Sequence, residues 1–272
     1  MHKTALGAAL LLAGVLAAPS LALADTSLSA AGSTALLPLV KEAAAQYQQA
    51  HGDVKIAVAG GGSGTGINQV AAKAVDIGNS DILAKDHPEL VDHRVAVVGF
   101  AVIVNSSAGV KNLTKKQLQD IFSGKVTNWK DVGGSAGKIT TINRPRNSGT
   151  RAVFTKTIMG DVAISAEGLT EDATGSVVST VGTTPGSISY AAFSGTRNKP
   201  GIAELAIDGV TPTDGNVVTG KYPLWSYEHM YTNGPSNAAT SRFIAFVTSN
   251  RSTVHKLGYI LVRDMKVSET DR

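Results

Sequence analysis

The sequence has no cysteine among its 272 residues, and aromatic residues make up only 5% of it. Without cysteine the chain cannot form disulfides, thiolate zinc sites, iron–sulfur clusters or a cysteine nucleophile. Its 25 basic and 21 acidic residues nearly balance, and the basic residues are spread along the chain. Nucleic-acid-binding proteins usually concentrate Lys and Arg on one face and interleave aromatic residues. The composition therefore argues against a nucleic acid as partner.

The first 24 residues have the features of a secretory signal peptide. A short basic start at 1–3 precedes an apolar run at 5–18, and Ala22-Leu23-Ala24 fits the small-x-small cleavage pattern. The alternative is a membrane anchor, but the apolar run is short for a span of about 20 residues. We expect cleavage after Ala24 and export to the periplasm or the medium. Without a cysteine to accept a lipid, the product is not expected to be a lipoprotein.

Strands and helices alternate in the first part of the sequence. A predicted strand at 27–30 precedes a helix whose apolar residues recur every three to four positions from Leu36 to Tyr47. A half-buried strand is predicted at 54–58, and the apolar run from 95 to 104 is typical of a strand buried on both faces. This alternation predicts an α/β fold with a largely parallel sheet.

The alternation restarts after Asn105 and ends in a helical tail, which predicts a chain that returns to its first lobe. We expect a two-lobed fold in which each lobe is a mixed, mostly parallel sheet flanked by helices, joined by two crossover segments. Lobe I is predicted at 25–104 and 222–272, and lobe II at 105–221. The predicted elements of this part are a helix at 113–122 with Thr114 as N-cap, a strand at 138–143, a helix at 151–158, a turn and a strand within 185–190, a strand at 224–231, and helices at 238–247 and 252–261.

Three loops share one design, in which the end of a strand is followed by Gly with Ser or Thr and then by a helix. They are Gly32-Ser33-Thr34, Gly62-Ser63-Gly64-Thr65 and Ser148-Gly149-Thr150. Such a loop presents the free N–H groups of a first helical turn and the positive end of the helix dipole, so it favours an anion. Each hydroxyl taken alone is better explained as an ordinary N-cap, and it is the three loops together that favour a ligand. In open parallel sheets such loops lie together at the carboxyl ends of the strands, where ligands bind.

The glycine-rich loop at 60–66 does not match nucleotide-binding patterns. The Walker pattern requires Gly-Lys-Ser/Thr, but Ile67 follows Gly66. The spacing of the dinucleotide pattern G-x-G-x-x-G is also absent from this loop. The remaining interpretation is a small anion held by backbone and hydroxyl donors.

Two charged residues refine this interpretation. Arg144, four residues before Ser148, can offer a planar pair of donors to two oxygens. Arg146 is interpreted as a surface charge, and the sequence leaves the role of Arg151 open.

Asp81 follows a predicted short strand and so lies at the same end of the sheet as the donors. It could cap a helix around His87. As a ligand group it would repel a fully deprotonated oxyanion and accept a hydrogen bond from one that carries a proton. That property would favour phosphate over sulfate.

These motifs occur in the order and spacing found in periplasmic phosphate-binding proteins of ABC-type phosphate importers, which the chain closely resembles over nearly all of residues 28–262. The resemblance rests on Ala31-Gly32-Ser33-Thr34-Ala35, Gly60 to Gly66, Asp76-Ile77-Gly78-Asn79-Ser80-Asp81, Arg144 to Arg151, Pro185-Gly186-Ser187-Ile188 and Gly220-Lys221-Tyr222-Pro223-Leu224. It implies phosphate bound in the cleft between two lobes and delivered to a membrane permease.

The resemblance also implies a set of phosphate ligands. They are Thr34 (hydroxyl and N–H), Ala35 (N–H), Ser63, Asp81, Arg144, Ser148, Gly149 and Thr150. Many relatives carry a bulky residue where this chain has Ala35, but only a backbone donor is required there. The partners expected are inorganic phosphate and the permease, with the protein itself a monomer.

An alternative function is a secreted hydrolase of phosphate or acyl esters. A single G-x-S-x-G match occurs at 133–137, but it lies in a predicted turn rather than between a buried strand and a helix. The six histidines show neither H-x-x-x-H nor H-E-x-x-H spacing. The sequence therefore predicts no catalytic residue, no metal and no cofactor, and we expect a binding protein rather than an enzyme.

Overall fold

The computed structural model describes residues 26–267, so the predicted signal peptide lies outside the described residues. Ten strands and nine helices are assigned in this range. The strands are β1 (Thr26–Gly32), β2 (Val54–Ala59), β3 (Ile77–Ser80), β4 (Leu90–Asn105), β5 (Asn112–Leu113), β6 (Thr140–Asn143), β7 (Leu169–Thr170), β8 (Ser187–Ala192), β9 (Ile202–Ile207) and β10 (Trp225–Asn233). The helices are α1 (Leu37–Ala50), α2 (Ser63–Ala71), α3 (Lys115–Phe122), α4 (Gly149–Phe154), α5 (Thr174–Thr183), α6 (Phe193–Thr196), α7 (Asp214–Val218), α8 (Ala238–Ser249) and α9 (Arg251–Lys256).

The strands form two groups that share β4. In the first group β1 lies between β2 and β3 and is parallel to both, and β10 joins β3 to β4 by antiparallel pairing. In the second group β4 pairs antiparallel with β8 and β9, β6 is parallel to β8 and β7, and β5 is parallel to β9. This arrangement confirms the predicted two-lobed α/β fold. The boundaries at 104 and 222 stay a prediction.

The long strand β4 forms the shared part of the core. Every residue from Val95 to Asn105 is buried, as the continuous apolar run predicts for a strand covered on both faces. Helices α5, α6 and α8 pack against it. Tyr47 of α1 makes edge-to-face contacts with Phe243 and Phe246 of α8, which joins these two helices.

Local signals predict some helix ends correctly and miss others. Thr114 caps α3 as predicted, because its hydroxyl accepts from the N–H of Gln117 and the Gln117 side chain accepts from the N–H of Thr114. The helix predicted at 252–261 is wrong in its last part. It ends at Lys256, where Gly258 adopts a φ of 78°, and Ile260 instead forms an antiparallel bridge with Val97. Between residues 26 and 267, no helix is long and apolar enough to span a membrane.

Candidate anion-binding site

The three loops singled out from the sequence meet where the two groups of strands face each other. Ser33 and Thr34 follow β1, Ser63 begins α2, and Gly149 begins α4. Hydrogen bonds that cross between the groups join these loops, including one from Arg144 Nη2 to Thr34 Oγ1 at 3.2 Å. The predicted site residues are therefore brought together.

Asp81 lies at the centre of the site and is 1% exposed. Its Oδ1 accepts from the hydroxyl of Ser33, and its Oδ2 accepts from Thr150 Oγ1 at 2.9 Å. Its N–H donates to Ser63 Oγ at 2.9 Å. Residues 82–89 form bends and turns, so the alternative role of Asp81 as a helix cap near His87 is wrong.

Arg144 is also 1% exposed and is held along one edge of its guanidinium. Its Nε donates to the carbonyl of Glu171 at 2.9 Å, and its Nη2 donates to the carbonyl of Asp172 at 3.0 Å and to Thr34 Oγ1. Its Nη1 has no hydrogen-bond partner within the described part of the chain. Burial lowers the pKa of Arg144, while the Asp81 carboxylate favours its charged form. The remaining edge can donate to an anion.

Several hydroxyl and amide donors surround these two side chains. Ser63 Oγ accepts from Asp81, and Ser148 Oγ accepts from the N–H of Arg151 at 3.2 Å, so each hydroxyl keeps its own proton to donate. The N–H groups of Gly149 and Thr150 belong to the first turn of α4, where helical N–H groups lack partners within the helix.

The predicted backbone donor at Ala35 is already engaged. Its N–H, like that of Leu36, donates to Ser33 Oγ at 3.0 Å. A bound anion would therefore share the Ala35 N–H with the hydroxyl of Ser33. The sequence motif includes Ser33, but it does not reveal that this hydroxyl links Asp81 to the start of α1.

The loops of the two lobes are in close contact at Gly149. A Cβ atom on Gly149 would lie 2.2 Å from Ser63 Oγ and 2.9 Å from Asp81 Cβ. Nearby, Asn147 Nδ2 donates to Gly61 O and to Thr65 Oγ1, both at 2.9 Å. The cleft is thus closed in this structure.

The structure also shows that Arg146 and Arg151, the two other arginines near the site, differ in their surroundings. Arg146 is exposed, as interpreted from the sequence. Arg151 is partly buried, and its Nη1 donates to the carbonyl of Arg144, so it positions the loop that carries Arg144. Sequence reasoning left that role open.

Two residues near the site were missed by sequence reasoning. The N–H of Thr174 donates to Thr34 Oγ1 at 3.3 Å. Glu228 on β10 is 0% exposed, and burial together with the adjacent Asp81 carboxylate raises the pKa of Glu228 well above its ordinary value. An acidic residue inside a predicted buried strand is a signal that could have identified it.

The described residues do not provide a metal centre or a nucleophile elbow. Between residues 26 and 267, no three His, Cys, Asp or Glu side chains group as metal ligands would. Ser135 of the G-x-S-x-G match is exposed on a loop that follows a 3₁₀ turn at Trp129–Val132, as the sequence predicts.

Comparison with known proteins identifies the class to which this fold and site belong. Residues 17–251 match the model of a PBP superfamily domain. The phosphate-binding protein PstS of Bacillus subtilis (strain 168) is 47% identical over 253 residues, which cover 90% of this chain and 84% of that protein. PstS of Borreliella burgdorferi is 26% identical over 250 residues, which cover 86% of this chain and 90% of that protein.

The fold is also similar to solved structures of proteins described as phosphate-binding. A structure from Clostridium perfringens, described as a phosphate ABC transporter substrate-binding protein with bound phosphate, superposes with a TM-score of 0.81 at 27% identity, covering 87% of this chain and all of that one. An ABC-type phosphate transport receptor from Vibrio cholerae has a TM-score of 0.71 at 27% identity, covering 86% of this chain and 99% of that one. The chain belongs to the PBP superfamily and, within it, to the phosphate-binding substrate-binding proteins of ABC transporters. This confirms the resemblance seen in the motifs.

Proposed function

We propose that this protein binds inorganic phosphate between its lobes and delivers it to the permease of an ABC-type phosphate importer. The observation that carries the proposal is the pairing of a buried arginine, Arg144, with a buried carboxylate, Asp81, in one closed cleft. The arginine supplies charge-assisted donors, and the carboxylate accepts the proton that hydrogen phosphate carries near neutral pH. The names of the relatives, including one solved with bound phosphate, support the same ligand.

The proposed ligand groups are those that the resemblance implies. They are Thr34, Ala35, Ser63, Asp81, Arg144, Ser148, Gly149 and Thr150. We further propose that the protein acts as an exported monomer outside the cytoplasmic membrane, without a lipid anchor, and that it is a binding protein rather than an enzyme. Its named relatives are substrate-binding proteins, which favours this over the hydrolase alternative.

Calorimetry of the protein from Asp25 onward tests the ligand. We expect one phosphate bound per chain at neutral pH, with little heat from sulfate or molybdate. A chromogenic phosphate or acyl ester should stay intact in the same samples. Equal affinity for sulfate, or turnover of an ester, would contradict the proposal.

The role of Asp81 can be tested by changing its charge and keeping its shape. In Asp81→Asn the amide can donate as well as accept, so sulfate should gain measurable affinity in competition against labelled phosphate. Asp76→Asn is the matched control, because the Asp76 carboxylate accepts from the N–H and hydroxyl of Ser29, both at 2.8 Å, and not from any proposed ligand group. If sulfate stays excluded in Asp81→Asn, the discriminating group is a different one.

A further inference from the structure

Glu228 places a second carboxyl group next to Asp81 inside the protein. On β10 it pairs with Ala96 of β4, and the register between these strands shifts between Glu228 and His229. Because His229 pairs with Ser80 of β3, the Glu228 position lies beside Asp81. A β-bulge of this kind commonly re-aims a side chain near a functional site.

The Glu228 carboxyl group is buried without a hydrogen bond from any donor in the described part of the chain. Neither of its oxygens has a hydrogen-bond partner within residues 26–267. The titratable group that acts on it is the Asp81 carboxylate, and Glu228 in turn acts on the buried phenol of Tyr259, whose hydroxyl donates to the carbonyl of Ala35. Arg144 acts on Asp81, and it is not among the groups that act on Glu228.

Asp81 and Glu228 differ in the hydrogen bonds and neighbouring charges around their carboxyl groups. Asp81 accepts hydrogen bonds from the hydroxyls of Ser33 and Thr150, and its charge interacts with the Arg144 guanidinium. Glu228 receives no such support, and burial raises its pKa. Two adjacent buried carboxyl groups do not both ionise readily. Without a proton, the Glu228 carboxylate and the Asp81 carboxylate would both be hydrogen-bond acceptors. With a proton, Glu228 can donate a hydrogen bond to Asp81.

We propose that Glu228 is a specificity-determining residue that holds a proton and donates it in a hydrogen bond to Asp81, so that Asp81 faces the bound anion as a carboxylate. This inference rests on the proposed function, since it assigns Asp81 to the ligand. Glu228 does not touch the anion. It acts by keeping the proton away from Asp81, where a proton would let the site donate to sulfate.

Infrared difference spectroscopy tests where the proton is, without any ligand. We compare the phosphate-free wild type with Glu228→Gln at pH 7. The difference should contain the carbonyl stretch of a protonated carboxylic acid, and that band should shift in Asp81→Asn. A difference made only of carboxylate bands would overturn the proposal, and this result does not depend on whether phosphate binds.

Sulfate competition then tests specificity. Glu228→Gln keeps a neutral donor beside Asp81, so it should bind phosphate and exclude sulfate as the wild type does. Glu228→Val has no donor, and the Asp81 carboxylate loses one hydrogen bond. Of the two adjacent carboxyl groups only Asp81 then remains to take a proton, so sulfate should compete about tenfold more strongly than in the wild type as the pH is lowered.

The outcomes separate this inference from the proposed function. If wild type binds no phosphate, the proposed function fails, whatever the infrared result. If wild type binds phosphate but the ratio of sulfate to phosphate affinity in Glu228→Val follows the wild-type pH profile, the role of Glu228 in specificity is wrong. If Glu228→Val does not fold, the infrared comparison with Glu228→Gln decides alone.

Discussion

Arg144 reaches the cleft from the loop after β6, and the carbonyls of Glu171 and Asp172 hold one edge of its guanidinium. The opposite edge is left to the anion. Replacing Arg144 by Ala removes charge-assisted hydrogen bonds of about 1.5–3 kcal/mol, so phosphate affinity should fall about ten- to a hundredfold. Calorimetry measures the change. Arg146→Ala is the control, because Arg146 is exposed two positions further along the same loop. Equal losses in both variants would show that Arg144 is not the ligand.

At the residue scale, the sequence predicts those groups whose position follows from a strand-to-helix loop. Ser148, Gly149 and the Arg144 that precedes them belong to one such loop, and the structure brings all three to the cleft. The hydrogen bond from Ser33 to Asp81 could not be predicted, because it depends on β1 and β3 being neighbours in the sheet. The burial of Glu228 likewise depends on β10 inserting between β3 and β4.

At the scale of elements, the start of α4 fits closely against the start of α2. In Gly149→Ala the new Cβ would meet Ser63 Cβ at 2.8 Å and Asp81 Cβ at 2.9 Å, and these atoms cannot turn away. We expect the two lobes to stay apart and phosphate affinity to fall about five- to a hundredfold, since a steric clash costs about 1–3 kcal/mol. Thermal unfolding without phosphate should change little.

Gly175→Ala is the matched control for this variant. Gly175 lies in α5, and a Cβ there meets nothing within 4 Å. It should leave phosphate affinity unchanged and stabilise the helix slightly. A similar affinity loss in both glycine variants would mean that close packing at Gly149 is not the cause.

The sequence predicts the helices and strands that have a strong local pattern, such as a capping box or a long apolar run. Helix α3 has its capping box and β4 its long apolar run, and both are found as expected. Helix α5 has the sequence Thr-Gly-Ser-Val-Val-Ser-Thr-Val-Gly-Thr, whose residues are poor helix formers, and it was missed. It forms because Val177, Val178 and Val181 are buried on one face. Packing of that kind is not visible in a local window of sequence.

At the scale of the whole molecule, closure of the lobes should accompany binding. X-ray scattering should give a smaller radius of gyration with saturating phosphate than without it. Asn147 bridges the lobes through Gly61 O and Thr65 Oγ1, so Asn147→Ala should weaken the closed state and lower phosphate affinity about tenfold. The compaction should then require a higher phosphate concentration.

A variant that loses similar hydrogen bonds within one lobe is the control for closure. Asn216 Nδ2 donates to Thr211 O at 3.0 Å and to Thr211 Oγ1 at 3.3 Å. Asn216→Ala should leave both the compaction and the phosphate affinity as in the wild type. An unchanged radius of gyration in the wild type on adding phosphate would rule out closure of measurable size.

The free energy of unfolding of the whole protein should depend on pH through the buried Glu228. Burial, and then the Asp81 carboxylate, raise the pKa of Glu228 in the folded state well above 4.5, its ordinary value. Between these two pKa values the folded chain holds a proton that the unfolded chain has lost, so the free energy of unfolding falls as pH rises. Its contribution is complete below pH 4.5 and is lost as pH rises through the pKa of the folded state.

Denaturant unfolding of the wild type and Glu228→Gln across pH 4 to 9 measures this effect, because the variant lacks the titrating group. The difference in unfolding free energy, wild type minus variant, should decrease above pH 4.5 by up to about 1.4 kcal/mol per pH unit and level off at the folded pKa. Groups common to both proteins cancel in this difference. A difference that stays flat or increases with pH would mean that Glu228 is ionised in the fold, and the selectivity of the cleft would then have to come from Asp81 alone.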